Sequence, residues 1–174
     1  MTPEQRSTAA SGLAAQLARL VTERGAGSVS CYLPIGDEPD TRPFIAWARE
    51  EGIEVLLPIS REDGTLDWVR DTGIGHRTGR FGIPEPHGER LGASASASVN
   101  LMLIPACAVG RDGVRLGWGR GYFDRNLASL DPQPPVFAVV FDTELLDSVP
   151  REPHDVPVTG AVTPERIVTF AASG

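Results

Sequence analysis

Lysine is absent from this chain. All sixteen of its basic residues are arginines, set against 23 acidic ones for a net charge of −7. Any phosphate gripped by a side chain must therefore be gripped by arginine, the remaining means being backbone N–H groups or a metal, and Schiff-base chemistry on lysine is excluded. The acidic balance argues against a general binder of nucleic acid or anionic membrane. Cysteine is scarce. Cys31 and Cys107 sit beside apolar runs with no CxxC or CxxH spacing, so two buried, reduced thiols are expected in place of a disulfide framework or zinc site. No apolar run approaches the ~20 residues of a membrane span, and the N-terminus lacks the basic-then-apolar layout of a signal peptide. A cytoplasmic protein is the expectation, with neither membrane nor nucleic acid as partner, and a monomer in preference to an oligomer.

What is present suits a single domain. The 174 residues are 41% hydrophobic and 22% charged, enough for a proper core and too apolar for a disordered chain. Thr2-Pro3-Glu4-Gln5 opens like a capped helix, and Leu13, Leu17, Leu20 and Val21 form its apolar stripe up to Gly25 and Gly27. A strand over Ser28–Leu33 follows, then a helix capped by Thr41 and stopped by Gly52, then a buried strand from Ile53 to Leu57 before Pro58. This strand–helix–strand order predicts parallel pairing. Leu66–Val69 alternates like a half-exposed strand, and Ala93–Ser98 reads as a flexible surface loop. Further buried strands are expected at Val99–Ile104 and Pro135–Phe141, a helix through Phe123, Leu127 and Leu130, and a last strand at Ile167–Phe170. The fold class is a three-layer α/β domain with a mostly parallel central sheet flanked by helices. Ligands then belong beyond the carboxyl ends of the strands, in the loops after Leu33, Leu57, Ile104 and Phe141.

The strongest chemical signal is the run from Asp112 to Arg125, with Gly117, Gly119 and Gly121 at every second position. Alternating glycines let backbone amides turn inward, and a helix begins directly after them, so the run is a natural anion seat. Arg115, Arg120 and Arg125 surround it with charge able to reach phosphate oxygens, and Asp124 adds a carboxylate suited to a phosphate-bound cation. A plain tight turn is the competing reading. The spacing is not the G-x-G-x-x-G of dinucleotide folds, and a Walker A loop would need the missing lysine.

The block Leu103-Ile104-Pro105 followed by Gly113-x-Arg115-Leu116-Gly117-x-Gly119-x-Gly121-Tyr122-Phe123-Asp124-Arg125 resembles the signature of the 5-formyltetrahydrofolate cyclo-ligases, also called 5,10-methenyltetrahydrofolate synthetases. Other matches fall in order: Tyr32-Leu33-Pro34 with Glu38 and Thr41, Leu57-Pro58, Gly82-Ile83-x-Glu85-Pro86, Val149-Pro150-x-Glu152-x-His154-Asp155, and Thr163-Pro164-Glu165-Arg166. The resemblance spans about residues 28–167. It implies a cyclo-ligase fold, of the NagB/RpiA-like kind, and Mg-ATP-driven closure of the N5-formyl group of folinic acid onto N10, releasing ADP and phosphate. The formyl oxygen is phosphorylated first because it is a poor leaving group. Catalysis then rests on positioning and charge neutralisation, which suits a site without a Ser–His or Cys–His pair.

Carried onto this sequence, the resemblance implies that Arg6 and the stretch Arg115, Leu116, Gly117, Trp118, Gly119, Arg120, Gly121, Tyr122 and Phe123 bind ATP. Leu33 and Glu38 would bind the folate together with Trp118 to Tyr122. Arg115, Arg120, Tyr122 and Asp124 would carry the catalytic charge work, and Asp124 with Asp155 would hold Mg²⁺. Leu33 also reads as simple core, Glu38 as a loop charge and Asp155 as a turn cap. His154 reads as structural, and His76 and His87 receive no role. Three departures stand out. The family's basic N-terminal helix is expected to be missing, only Arg6 remaining in its neighbourhood. Asn100 replaces a usual Asp, and Val109-Gly110 replaces a usual Phe-Asp, with Asp112 near enough to substitute. They keep open a paralogue that activates and cyclises another amide, and a non-catalytic nucleotide- or folate-binding module.

Overall fold

The computed structural model describes residues 1–153 and 155–171. Helix α1 (Pro3–Arg24) starts as expected: the Gln5 amide donates to the Thr2 hydroxyl, and the Gln5 side chain accepts from the Thr2 amide. It ends at Gly25, whose φ of +61° is left-handed and suits glycine. Strand β1 (Ser28–Ser30) is shorter than the sequence predicts, although the Cys31 amide still reaches the Leu56 carbonyl at 2.9 Å. Beyond it the Thr41 hydroxyl donates to the Tyr32 carbonyl at 2.6 Å, which ties the chain off the sheet. Thr41 therefore does not cap helix α2 (Arg42–Glu50) by side chain. Asp40 does so in its place, accepting from the Arg42 amide at 3.0 Å.

Strand β2 (Glu54–Ser60) runs on through Pro58, where the sequence predicts a stop. The Leu56 carbonyl faces β1, so Pro58, two residues on, turns its missing N–H to the side where β1 has already ended. Strand β3 (Leu66–Arg70) pairs antiparallel with β2 and is buried over its first four residues, not half exposed. Part of the cover comes from Ala93–Ser98, which lies at the surface as expected but is a 3₁₀ segment that buries Ser96 fully. Residues 90–92 supply the rest, Arg90 bridging to Val69 and the Gly92 amide donating to Asp67 at 2.7 Å.

A ribbon of β4 (His76–Thr78) and β5 (Pro84–Pro86) follows, joined through a 3₁₀ turn at Arg80–Gly82. Then come β6 (Leu101–Pro105), β7 (Ala108–Gly110), β8 (Arg115–Leu116), helix α3 (Tyr122–Ala128) and β9 (Val136–Val139). Strands β10 (Leu145–Leu146), β11 (Gly160–Val162) and β12 (Ile167–Thr169) complete the chain. The main sheet has the order β12-β11-β9-β6-β1-β2-β3, parallel except for its two outer strands, and β10-β7-β8 form a small second sheet. This is the three-layer, mostly parallel α/β fold expected. Alternation along β6 shows the layering: Leu101 and Leu103 join Leu13, Leu17 and Phe44 under α1 and α2, while Met102 and Ile104 face Trp68, Leu127 and Val136 on the other side. Each such buried side chain contributes about 1.5–3 kcal/mol.

Asn100 sits where β1 and β6 begin. Its Oδ1 accepts from the Gly27 amide (2.9 Å), the Ser28 amide (3.2 Å) and the Ser28 hydroxyl (3.3 Å). An amide oxygen performs this tie as a carboxylate oxygen would, so the departure at this position is explained by the fold. Both cysteines are free: Cys31 is buried, with its thiol pushed up to about 12 by desolvation, whereas Cys107 is only partly covered.

Candidate functional site

A cavity of about 460 Å³ opens at the carboxyl ends of β1, β2 and β6. Three of the four loops singled out from the sequence meet there: residues 32–38 after β1, Pro58 and Ser60 on β2, and Pro105 on β6. The loop after β9 contributes no wall, but its Glu144 carboxylate acts on Glu38 through space. Leu33, Leu66, Ile83 and Pro84 give the cavity an apolar side, and Glu38, Arg115, Arg120 and Asp124 give it a charged one. Flat apolar surface facing a few convergent polar groups is the general form of a small-molecule site.

The glycine ribbon lies along this wall. Gly119 (φ +93°) and Gly121 (φ +73°) hold left-handed backbone that other residues rarely adopt. The ribbon is anchored at one end by β8 and at the other by the bond from the Arg125 amide to the Gly121 carbonyl at 3.0 Å. Between those anchors, among the described residues, the amides of residues 117–121 donate to no carbonyl or side chain. Helix α3 has only seven residues, so its dipole would add little to the hold on an anion here.

Arg115 is the best-buried cation, its side chain 6% exposed and ion-paired through Nη2 with Asp124 Oδ1. Burial draws its pKa down while Asp124 and Asp155 hold it up; a guanidinium stays charged in either case. Glu38 receives the Ile35 amide at 2.8 Å, and desolvation, helped by the Glu144 charge, lifts its carboxyl from 4.5 to about 7. A carboxyl poised near neutrality in an apolar-walled cavity can accept from, or donate to, a heterocyclic ring edge.

The other predicted positions divide. Leu33 lines the cavity and also packs against the α1–α2 core, so both of its readings hold. Trp118 is 58% exposed at the mouth, and Gly117, Gly121, Tyr122 and Phe123 are on the wall. Gly119 and Leu116 are not; Leu116 is spent pairing with Ala108 in the small sheet. Arg6 reaches the rim indirectly, through a 2.7 Å ion pair with the cavity residue Asp37. Arg120 points at the Phe81 ring, its guanidinium carbon 3.8 Å from the centroid. Arg125 does not offer its charge to the cavity as expected, because its guanidinium is bonded to the carbonyls of Gly64 and Arg120. Asp155 lies off the wall with Oδ2 accepting from the Glu152 amide at 2.7 Å, the turn-capping geometry. Asp112 likewise accepts from the Val114 amide at 3.1 Å. His76 and His87 are exposed outside the cavity, and His154 lies outside the described residues.

Among the described residues no group of three His, Cys, Asp or Glu side chains converges on one point. Asp124 has Oδ1 on Arg115 and Oδ2 toward Gly117. Such a donor set suits a hard cation that takes most of its oxygens from phosphate and water, as magnesium does.

Phe81 is the chief residue the sequence reading missed. Its φ of +59° is rare for a non-glycine residue, the residue is 53% exposed, and it stands on the cavity wall. The only signal was its place directly before the Gly82–Pro86 motif, to which no role was attached.

The family model of the 5-formyltetrahydrofolate cyclo-ligase family matches residues 1–164. A curated 5-formyltetrahydrofolate cyclo-ligase from Mycolicibacterium smegmatis is 39% identical over 144 residues, covering 80% of this chain and 74% of the relative. One from Escherichia coli K12 is 27% identical over 173 residues, covering 96% and 94%. The NMR structure of Aquifex aeolicus 5,10-methenyltetrahydrofolate synthetase superposes with a TM-score of 0.82 at 27% identity, over 100% of this chain and 87% of that one. A Mycoplasma pneumoniae 5,10-methenyltetrahydrofolate synthetase gives 0.73 at 19% identity, over 95% and 90%, a likeness of fold.

Proposed function

The chain belongs to the 5-formyltetrahydrofolate cyclo-ligase family, and from that premise we propose that its cavity is where 5-formyltetrahydrofolate and ATP meet. The reaction is ATP-dependent closure of 5-formyltetrahydrofolate to 5,10-methenyltetrahydrofolate. The γ-phosphoryl group passes to the formyl oxygen, leaving ADP. N10 then attacks the activated carbon and loses its proton, and phosphate departs with the oxygen.

The protein's part is to hold the two substrates in line and neutralise charge, as in other phosphoryl transfers. Glu38 would meet the ring N–H groups of the pterin, with Leu33 beside it as apolar wall. The amides of residues 117–121 and Arg115 would cradle the phosphates. Arg120 would leave the Phe81 ring to reach the transferring group. Asp124, with Asp155 as the second carboxylate acting on Arg115, would hold Mg²⁺, which when bound neutralises phosphate oxygens. Arg6 would act at the rim through its hold on Asp37.

One observation carries this reading: a row of unpaired amides borders the same cavity as Glu38. Amides tied into the fold would leave the phosphates without a seat. The test is to mix the protein with 5-formyltetrahydrofolate and Mg-ATP and follow the methenyl chromophore and ADP together. Equal amounts of both are expected, and their abolition in Asp124→Ala. Chromophore formation that does not need ATP, or none at high enzyme concentration, overturns it.

A further inference from the structure

We propose that Arg125 is a positioning residue that aims the phosphate-binding amides while touching no ligand itself. The inference rests on the reading of residues 117–121 as the phosphate seat. An arginine beside such a ribbon would ordinarily be taken for a phosphate ligand, but two prongs of its fork are already held by carbonyls. Nε donates to the Gly64 carbonyl at 2.6 Å and Nη2 to the Arg120 carbonyl at 2.7 Å. Its side chain is not on the cavity wall, and among the described residues it has no carboxylate partner.

The bond to Arg120 has a geometric consequence. In a trans peptide the carbonyl oxygen and the following amide hydrogen point in opposite directions. Holding the Arg120 carbonyl toward the guanidinium turns the Gly121 amide hydrogen away from it, and both Arg120 and Gly121 border the cavity. The same bond takes up the partial negative charge of a carbonyl that would otherwise oppose an incoming phosphate. The unpaired guanidinium charge also stands directly behind the ribbon, where its field adds to that of the amides.

The site is built for this side chain. A Cβ on Gly121 would fall 2.7 Å from Arg125 Nη1, and one on Gly64 would fall 3.1 Å from Nε, so both glycines make room for the guanidinium. Tyr122, one turn earlier on α3, adds a second grip on the same β2–β3 turn, its hydroxyl donating to the Arg61 carbonyl at 3.0 Å. The ribbon is thus fastened from behind to a turn whose residues 61–65 are off the cavity wall.

The test compares wild type with Arg125→Ala and Arg125→Lys in steady-state kinetics and in hydrogen–deuterium exchange of residues 117–121, with and without Mg-ATP. Lysine keeps the charge but not the two-pronged fork. Wild-type amides are expected to slow on adding Mg-ATP. In Arg125→Ala the KM for ATP should rise roughly 10–100-fold, the size expected for loss of a charge-assisted contact, with KM for the folate changed less than about two-fold. Arg125→Lys should recover only part of the loss, and millimolar ethylguanidinium should restore Arg125→Ala but not wild type. Equal rises in both KM values, or full activity in Arg125→Lys, overturn the proposal and leave the phosphate seat standing. Wild-type amides indifferent to Mg-ATP overturn the seat and this inference with it.

Discussion

Replacing Glu38 by Gln should make the protein more stable and the enzyme worse. The carboxyl titrates near 7 in the fold against about 4.5 when free, because burial disfavours its charged form. Below pH 4.5 the group is neutral in both folded and unfolded chains and has no effect. Between 4.5 and 7 the unfolded chain releases the proton while the folded one keeps it, so stability falls as pH rises. Above 7 the loss is complete. A gap of this size corresponds to an upper figure of about 3 kcal/mol. Glu38 is only half-buried, and solvent screening reduces that to ~1–2 kcal/mol. Glutamine keeps an oxygen for the Ile35 amide and never ionises. Glu38→Gln should therefore match wild type at pH 4.5 and exceed it at pH 8 by ~1–2 kcal/mol, or about 3–6 °C in Tm for a chain of this size. Denaturant melts at the two pH values measure the difference. Its KM for the folate should rise at pH 8, where the wild-type carboxylate is ionised. A variant equally stabilised at both pH values would sink the reasoning, because the cost would then not be one of charge.

Arg115→Met should lower kcat/KM by a hundred-fold or more, since it removes a buried cation from the phosphate end and leaves the Asp124 carboxylate uncompensated; a loss below five-fold in steady-state turnover would remove Arg115 from the site. Asn100→Ala breaks three bonds at the strand ends and should cost ~2–3 kcal/mol in a urea melt with both KM values unmoved. Asn100→Asp, which retains the acceptor, should recover most of that stability, and failure to do so would show that the tie depends on the amide.

Much of the architecture was legible because helices and buried strands announce themselves locally. The Thr2–Gln5 box and the leucine stripe of α1 need only 3.6-residue periodicity, and the run Leu101-Met102-Leu103-Ile104 reads as a strand buried on both faces. Errors fell where the answer depends on a distant neighbour. Leu66–Val69 alternates in sequence, yet residues 90–98 pack along it, Arg90 bridging to Val69 and the Gly92 amide donating to Asp67. Thr41 has the chemistry of a cap, but a carbonyl nine residues back takes its hydroxyl. The site divides the same way. Gly117 to Asp124 were visible as a ribbon because spacing alone marks them. Phe81 was not, since its left-handed backbone is imposed by the ribbon of β4 and β5 around it. Arg125 reads as charge beside the ribbon, but its bonds to the Gly64 and Arg120 carbonyls are not legible, because charge can be read from a sequence and direction cannot.

The cavity walls come from residues as far apart as 32 and 124, and these meet only when β1, β2 and β6 lie side by side. During refolding, recovery of helix signal should precede recovery of nucleotide affinity, because no shorter piece of chain contains both Glu38 and the glycine ribbon in register. Ligand added early would find nothing to hold, and would stabilise only molecules that have already finished.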